Sequence, residues 1–388
     1  MGHNTVRMTT CEGHSRGSIG SFVVQRIRSS VSYLHHSRVA RIELQMLLTF
    51  ALPFRSPTGK TKAMMHTIDS HHEVPLAAEL VDELLLFWET IFSGDPDLPR
   101  EIWLGNESEH HRLRVYLSRS DGDCIGSCAT MTSHSLPGLG GLAEVATLPT
   151  SRGQGIASRL CHQAVSDFRA GDGRALFLGT INPAAARVYH RLGWRKLAGA
   201  DVMVNVINGE SPETFLVDYF RPPGSVSILP ANPSVRIAMI PLLHTPHDWQ
   251  ILDANVALYS TRYQVQSSCM GLYKRYGHCT ATDHGQWFSA WTDDGRLVGL
   301  STVRLNAPGC CNVDGFTHQR FSDCWEPLLQ AAMTWGEMQN TSVVTARLSV
   351  EDEAKRRLFE SMGFGKAKAA EPFELGGRSI PSLQLQRD

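Results

Sequence analysis

A chain of 388 residues exceeds the ~100 to 200 residues of one ordinary domain, so two folded domains are expected. Hydrophobic residues at 42% with charged residues at 19% exclude a disordered or collagen-like chain. Net charge is -1 but unevenly spread: residues 1–63 hold nine Lys or Arg against only Glu12 and Glu43, leaving 28 bases and 36 acids elsewhere, and so acidic a body excludes a general nucleic-acid surface.

Residues 1–63 are basic, Ser-rich and without sustained periodicity. They imitate a transit peptide, but Met64 and Met65 precede the first patterned helix, so a start there, with the extension disordered or over-read, is the preferred reading. Their longest apolar run, residues 46–54, is well short of the ~20 residues that span a bilayer, so no membrane segment and a cytoplasmic location are expected. Gly59-Lys60-Thr61 imitates the end of a phosphate-binding P-loop, but Phe54 stands where its leading glycine belongs. The nine cysteines read as reduced thiols, and no metal is expected: Cys124 and Cys128, nearest to ligand spacing, lack a second pair.

Leu80, Leu84, Phe87, Trp88 and Ile91 give an amphipathic first helix, stopped by the Gly94-Asp95-Pro96 turn. Leu113, Val115 and Leu117 alternate with polar residues, and segments 124–132 and 142–148 supply two further strands. A helix over 155–170 ends at Gly171, a strand covers 175–179, and the next helix has Asn182 as N-cap and Pro183 in its first turn, ending at Gly193. Helices covering a mixed sheet in this order make an α/β (α+β) plan.

Two features recur. Asp121-Gly122-Asp123-Cys124-Ile125-Gly126 returns as Asp294-Gly295-Arg296-Leu297-Val298-Gly299, offset 173, and Tyr189 to Trp194 returns as Phe359 to Phe364, offset 170. A duplicated domain follows, with residues 64–220 and 236–388 as its copies and the Pro-rich stretch 221–235 as linker.

The chemistry concentrates in Thr147-Leu148-Pro149-Thr150-Ser151-Arg152-Gly153-Gln154-Gly155-Ile156-Ala157-Ser158, a glycine-rich turn from strand into helix. A helix start offers unpaired N–H donors and partial positive charge, Gly153 and Gly155 leave the backbone open to a pyrophosphate, and Arg152 adds a charged contact. A dinucleotide-binding turn would want a third glycine, where the chain has Ser158.

Arg152, Gly155 and Ala157, followed by Asn182, Ala185, Tyr189, Gly193 and Trp194, make the chain resemble the GNAT superfamily of acetyl-CoA-dependent N-acetyltransferases over roughly residues 74–215. The resemblance implies tandem GNAT-like domains, each a mixed, mostly antiparallel sheet flanked by helices. It implies acetyl-CoA on the loop from Arg152 through Gly153, Gln154, Gly155, Ile156 and Ala157 to Ser158, with the cofactor arm between the strands 142–148 and 175–179. N–H groups near Ala146 and Thr147 would stabilise the oxyanion. Tyr189 would be the general acid that protonates the departing thiolate, its other reading being a core aromatic. Asn182 suffices as an N-cap, and a pantetheine contact is an added role.

An alkyl amine of pKa ~10.4 needs a base at neutral pH. Glu144, on the strand into the loop, is the candidate; it equally fits an outward position or a hold on a cationic acceptor, and His134 is the weaker substitute. Asp95, Asp97 and Glu101 hint at a cationic acceptor or form a solvated turn.

For residues 236–388 the reading gives a helix over 249–259, strands 287–291 and 297–303, a helix 325–339, a strand 343–348 and a helix 351–362. Thr317 to Asp323 lack the glycines, and Asp352 and Phe359 replace Asn182 and Tyr189, so this copy is expected to have lost acetyl-CoA and to cover a face of the first as an intramolecular pseudo-dimer, unless the chain forms a homodimer. Transfer of acetyl to an amine of a small molecule or protein through a ternary complex is the expected function; a non-catalytic acyl-CoA sensor or scaffold is the alternative.

Overall fold

Apolar residues alternating along the chain set two faces on the first sheet. In the computed structural model, which describes residues 67–92, 97–222, 224–281 and 284–388, β1 (Ile68–Glu73), β2 (His111–Ser120), β3 (Asp123–Ser133) and β4 (Leu139–Thr147) pair antiparallel in sequence order. β5 (Ala175–Gly179) joins β4 in parallel, with β7 (Val202–Val206) and the short β6 (Arg195–Lys196) beyond it. Val115 and Leu117 face one core with α1 (Ala78–Glu89) and α2 (Arg100–Trp103). Tyr116 between them faces another, with α3 (Ile156–Ala170) and α4 (Pro183–Arg191). The expected extension and the Gly94-Asp95-Pro96 turn lie outside the described residues. Gly171 caps α3 as expected, but the left-handed residue is its neighbour Asp172, at φ 60°.

After α5 (Pro212–Tyr219) the second copy begins earlier than expected, because β8 (Val226–Pro230) forms the edge of its sheet inside the stretch read as a linker. Pro230 closes that edge strand, a position that tolerates its missing N–H. α6 (Val235–His244), β9 (Ile251–Asp253), β10 (Leu258–Tyr259) and α7 (Leu272–Ala281) follow. Then come β11 (Gly285–Thr292), β12 (Leu297–Ala307), β13 (Cys310–Thr317), α8 (Trp325–Met338), β14 (Val343–Ser349), α9 (Glu353–Ser361), β15 (Gly365–Leu375) and β16 (Arg378–Arg387).

The two seven-stranded sheets have the same strand order, β1-β2-β3-β4-β5-β7-β6 matching β8-β11-β12-β13-β14-β16-β15, each with one parallel pair. The duplication reaches individual pairings: Gly126 opposes Thr147 as Gly299 opposes Thr317, at the offsets of 173 and 170 seen in the sequence. All ten residues of α6 are buried, and one core runs through both copies. Most side chains of α6 are apolar and its Arg236 is paired with Glu107, so it can lie inside, here against β3, β4 and β12. The helix expected over 249–259 does not form. Ile251, Leu252, Val256 and Leu258 are all buried, and the backbone of the segment bonds instead to side chains of the second copy.

Among the described residues no helix is long and apolar enough to cross a membrane, and no cluster of three or more His, Cys, Asp or Glu is placed to hold a metal ion.

Candidate acyl-transfer site in the first copy

β4 and β5 pair over only three positions, Leu139 with Ala175, Gly140 with Leu176 and Gly141 with Phe177, then diverge. At the mouth of this splay the chain passes through a 3-10 turn at Pro149–Ser151 and through Gly153 and Gly155, both at φ 78°. A Cβ on either glycine would meet nothing within 4 Å, so the left-handed backbone, not crowding, requires glycine there and leaves an open approach. The first backbone bond of α3 runs from Arg159 N–H to Gly155 O, which leaves the N–H groups of Ile156, Ala157 and Ser158 without an intrahelical acceptor. Such donors at a helix start form an anion cradle. Arg152 Nε donates to Thr147 O at 3.2 Å, and the buried Thr147 Oγ1 has no partner within the protein. The open glycines, the helix start and this orphaned hydroxyl fit a diphosphate-bearing amide chain.

Ladder alternation sharpens the expected donors. Leu148 N–H bonds to Ile125 O, so Ala146 N–H, two residues back, also turns toward β3, whereas Thr147 N–H turns toward the splay. Of the two, Ala146 is therefore occupied by the ladder and Thr147 is the donor that faces the opening.

Glu144 sits on a β-bulge. Ser127 opposes Ala146 and Ala129 opposes Ala143, so Glu144 and Val145 together face the single residue Cys128, and Glu144 takes φ 48°. Ser127 fixes the bulge: its Oγ donates to Glu144 O at 2.7 Å and accepts from Trp88 Nε1 at 2.9 Å. β13 has no counterpart to this residue. Leu139 and Cys310 hold equivalent places, 171 apart, and so do Thr147 and Thr317, 170 apart; Glu144 is the one residue by which β4 is longer. Leu142 and Val145 face α3 and α4, while Ala143 and Ala146 face the core shared with the second copy. Glu144 is on that second side, where burial first, then the charge of Asp97, pushes its carboxyl up to about 7 against the opposing pull of Lys274.

Asn182 caps α4, accepting from the N–H groups of Ala184 at 2.9 Å and Ala185 at 3.4 Å. About two turns on from Asn182, Tyr189 is buried with its ring 6.0 Å from Trp194, beside the thiols of Cys161 and Cys128. Burial pushes its phenol far above the usual value, so it keeps its proton. His134 stands at the far end of the β3–β4 ladder, its Nε2 3.1 Å from Ser108 O, and does not reach the splay. Of the acids in the early turn, Glu101 is exposed on α2, Asp95 lies outside the described residues, and Asp97 alone joins Glu144. Lys274 carried no signal in the sequence, because only the packing of α7 brings it to this place.

The equivalent splay in the second copy, beyond three parallel pairs of β13 with β14, holds the chain's own backbone. Asp352, in the place of Asn182, accepts the N–H groups of Gln250 at 2.7 Å and Ile251 at 3.0 Å. Lys355 Nζ donates to Ile251 O at 2.9 Å and Leu252 O at 3.0 Å, and Asp314 accepts Ala254 N–H at 2.7 Å. An extended amide chain thus fills the groove that the first copy leaves open.

Residues 78–194 match the model of the acetyltransferase (GNAT) family, and that segment is a GNAT domain. No curated protein sequence matches the chain. Similar solved structures include a GNAT-family acetyltransferase from Streptococcus pneumoniae (15% identity, 42% of this chain and 99% of that one, TM-score 0.32). RimL, a ribosomal L7/L12 α-N-protein acetyltransferase in complex with coenzyme A, aligns at 14% identity over 42% of this chain and 94% of its own, TM-score 0.35. Mutant forms of the spermidine/spermine N-acetyltransferase SpeG from Vibrio cholerae align at 14% identity over 42% and 92%, TM-score 0.33.

Proposed function

We propose that the chain is an N-acetyltransferase that moves an acetyl group from acetyl-CoA to an amine by direct attack in a ternary complex, using the first copy alone. The observation that carries this reading is Glu144, a partly buried carboxyl near 7 on a bulge the second copy lacks, beside an open anion cradle. Acetyl-CoA supplies the activated thioester. The N–H groups from Gly153 to Ser158, with Arg152 and Gln154, hold the diphosphate, and Asn182 lies beside the amide arm. Thr147 N–H faces the negative charge that develops on the thioester oxygen. Glu144 takes one proton of the incoming ammonium; as the tetrahedral adduct collapses the C–S bond breaks, Tyr189 gives its phenolic proton to the departing sulfur, and the second N–H proton of the acceptor restores the phenol. A sensor or scaffold would need the cradle but neither of these two groups. The second copy, from Val226 onward, serves as the pseudo-dimer partner, and a cytoplasmic setting suits the free thiols of the described cysteines.

Release of CoA thiol in the presence of a primary amine tests the reaction, and Tyr189→Phe should lower kcat by ~100-fold while acetyl-CoA affinity holds. Unchanged turnover would remove Tyr189 from the mechanism. Calorimetry should count one acetyl-CoA site per chain, because Gln250 to Ala254 fill the second groove. In the same titration Gly155→Val, which forces a β-branched residue to positive φ, should raise Kd by at least ~10-fold, ~1.4 kcal/mol.

A further inference from the structure

A cavity of about 1060 Å³ opens between the C-terminal half of α3, the end of α4, β6, β7 and the start of α5. It is separate from the diphosphate cradle: Arg169, in its wall, stands eleven residues beyond Ser158 on α3, about 16 Å along the axis at 1.5 Å per residue. The space exists because β6 has only two residues and pairs with Met203 and Val204 alone. Asn205 and Val206, paired to β5 on one side, have no ladder partner on the other. The second copy treats the same place differently. Val344 pairs with Arg387 as Leu176 pairs with Asn205, and Arg387 spans from the sheet to Met333 Sδ on α8 at 3.6 Å. Asn205 is too short for that span; its amide donates to Leu192 O at 3.0 Å, and the space beyond is left to the cavity.

The walls carry four cations, Arg169, Arg191, Arg195 and Lys196, against two carboxylates, Glu210 and Glu213. Lys196 is matched by Asp201 at 2.8 Å, and Glu210 lies 3.9 Å from Arg174, outside the lining. Among the described residues no carboxylate comes within ion-pair distance of Arg169, Arg191 or Arg195. Arg169 and Arg191 stand in the last turns of their helices, where a cation suits the helix dipole, but neither donates to a carbonyl there. Arg195 lies outside any helix, and its Nη1 donates to His190 O at 3.2 Å and Trp194 O at 2.9 Å, which fixes it beside the end of α4. Val165, Leu192 and Ile207 add an apolar part to the lining and pack on the core beneath α3 and α4.

We infer that this cavity is a second binding site, taking a small organic anion that joins an apolar body to a doubly charged phosphate or carboxylate head. Guanidinium forks match the paired oxygens of such a head, and a volume near the ~1,000 Å³ upper end of small-molecule sites holds more than an inorganic ion. Such a site is independent of acetyl transfer: a chain that bound no CoA would lose the acetyltransferase reading and keep it.

The test is calorimetry on the full chain, with and without saturating CoA, using 1-naphthyl phosphate as probe and 1-naphthalenemethanol as its uncharged counterpart. The ester should bind once per chain with CoA present, and the alcohol at least ~10-fold more weakly. The double variant Arg191→Gln, Arg195→Gln should weaken the ester by at least ~10-fold and leave CoA affinity unaltered, which also shows that the variant is folded. Displacement of the ester by CoA would assign the arginines to the coenzyme's own site and overturn the inference, and so would a variant that loses CoA affinity. Equal affinity for ester and alcohol, or a variant that binds the ester as wild type does, would overturn it as well.

Discussion

Replacing Lys355 with methionine should destabilise the protein by ~3–5 kcal/mol, the usual cost of removing one partner from a buried ion pair. Lys355 has no exposed surface, and its Nζ lies 2.5 Å from Asp314, itself 1% exposed. Methionine fills most of the volume, so the loss comes from charge and hydrogen bonds: Asp314 keeps a carboxylate with no cation, and the carbonyls of Ile251 and Leu252 lose their donor. A second acid aggravates this. Asp253, fully buried against Thr302, is held up to about 8 by burial and then by Asp314, with Lys355 pulling the other way. The sign of the pH dependence follows. An acid whose folded value is raised above 3.8 binds its proton more tightly when folded, so stability falls as pH rises from 3.8 toward the folded value. Without Lys355 both acids rise further, and the deficit should be smaller at pH 5 than at pH 8. Denaturant unfolding at the two pH values measures it; equal deficits would mean that lost packing dominates.

The contrast between the copies also explains what the sequence made legible. Local rules reached α1, β2 to β5, α3, α4 and the strand pair β11–β12, because each carries its own periodicity and punctuation: Asn182-Pro183 starts a helix wherever it stands, and Gly153 and Gly155 demand a left-handed turn whatever surrounds them. The duplication was visible for the same reason, since turn residues at offsets of 173 and 170 survive divergence of the core. Segment 249–259 was misread because its conformation is imposed from a distance. Asp352, Lys355 and Asp314, about 60 to 100 residues away in sequence, supply the bonds a helix would have made for itself. β8 was hidden by Pro230 at its end, which an edge strand accepts, and by the prolines flanking it. Within the site, Glu144 could be picked out as an acid on an inward strand, but not the reason it is tolerated: the extra residue of a bulge is defined only against the pairing of β3, and Ser127 and Trp88, which hold it, give no sign in the sequence. Lys274 arrives from the other copy, and no local pattern announces a contact of that kind.

Glu144→Gln should lower kcat/KM for the amine by ~100- to 10,000-fold near pH 8 with acetyl-CoA affinity preserved, since glutamine keeps the shape but cannot accept a proton. Its pH profile separates this from mere disturbance of the bulge. In the wild type the reacting pair is ionised Glu144 with an ammonium. Below about 7 the carboxyl is protonated and the rate falls with pH; above it the rate levels, until the free amine of pKa ~10.4 loses the proton that Glu144 accepts. The glutamine variant has no such plateau. Only the neutral amine fraction can attack, so log kcat/KM should climb with unit slope from pH 6 to 9. Ser127→Ala is the companion measurement: it releases the carbonyl of Glu144 but leaves the carboxyl in place, so kcat should fall while the limb near 7 persists. If the glutamine variant instead kept that limb, another group would be the base, and the bulge would serve only to shape the splay.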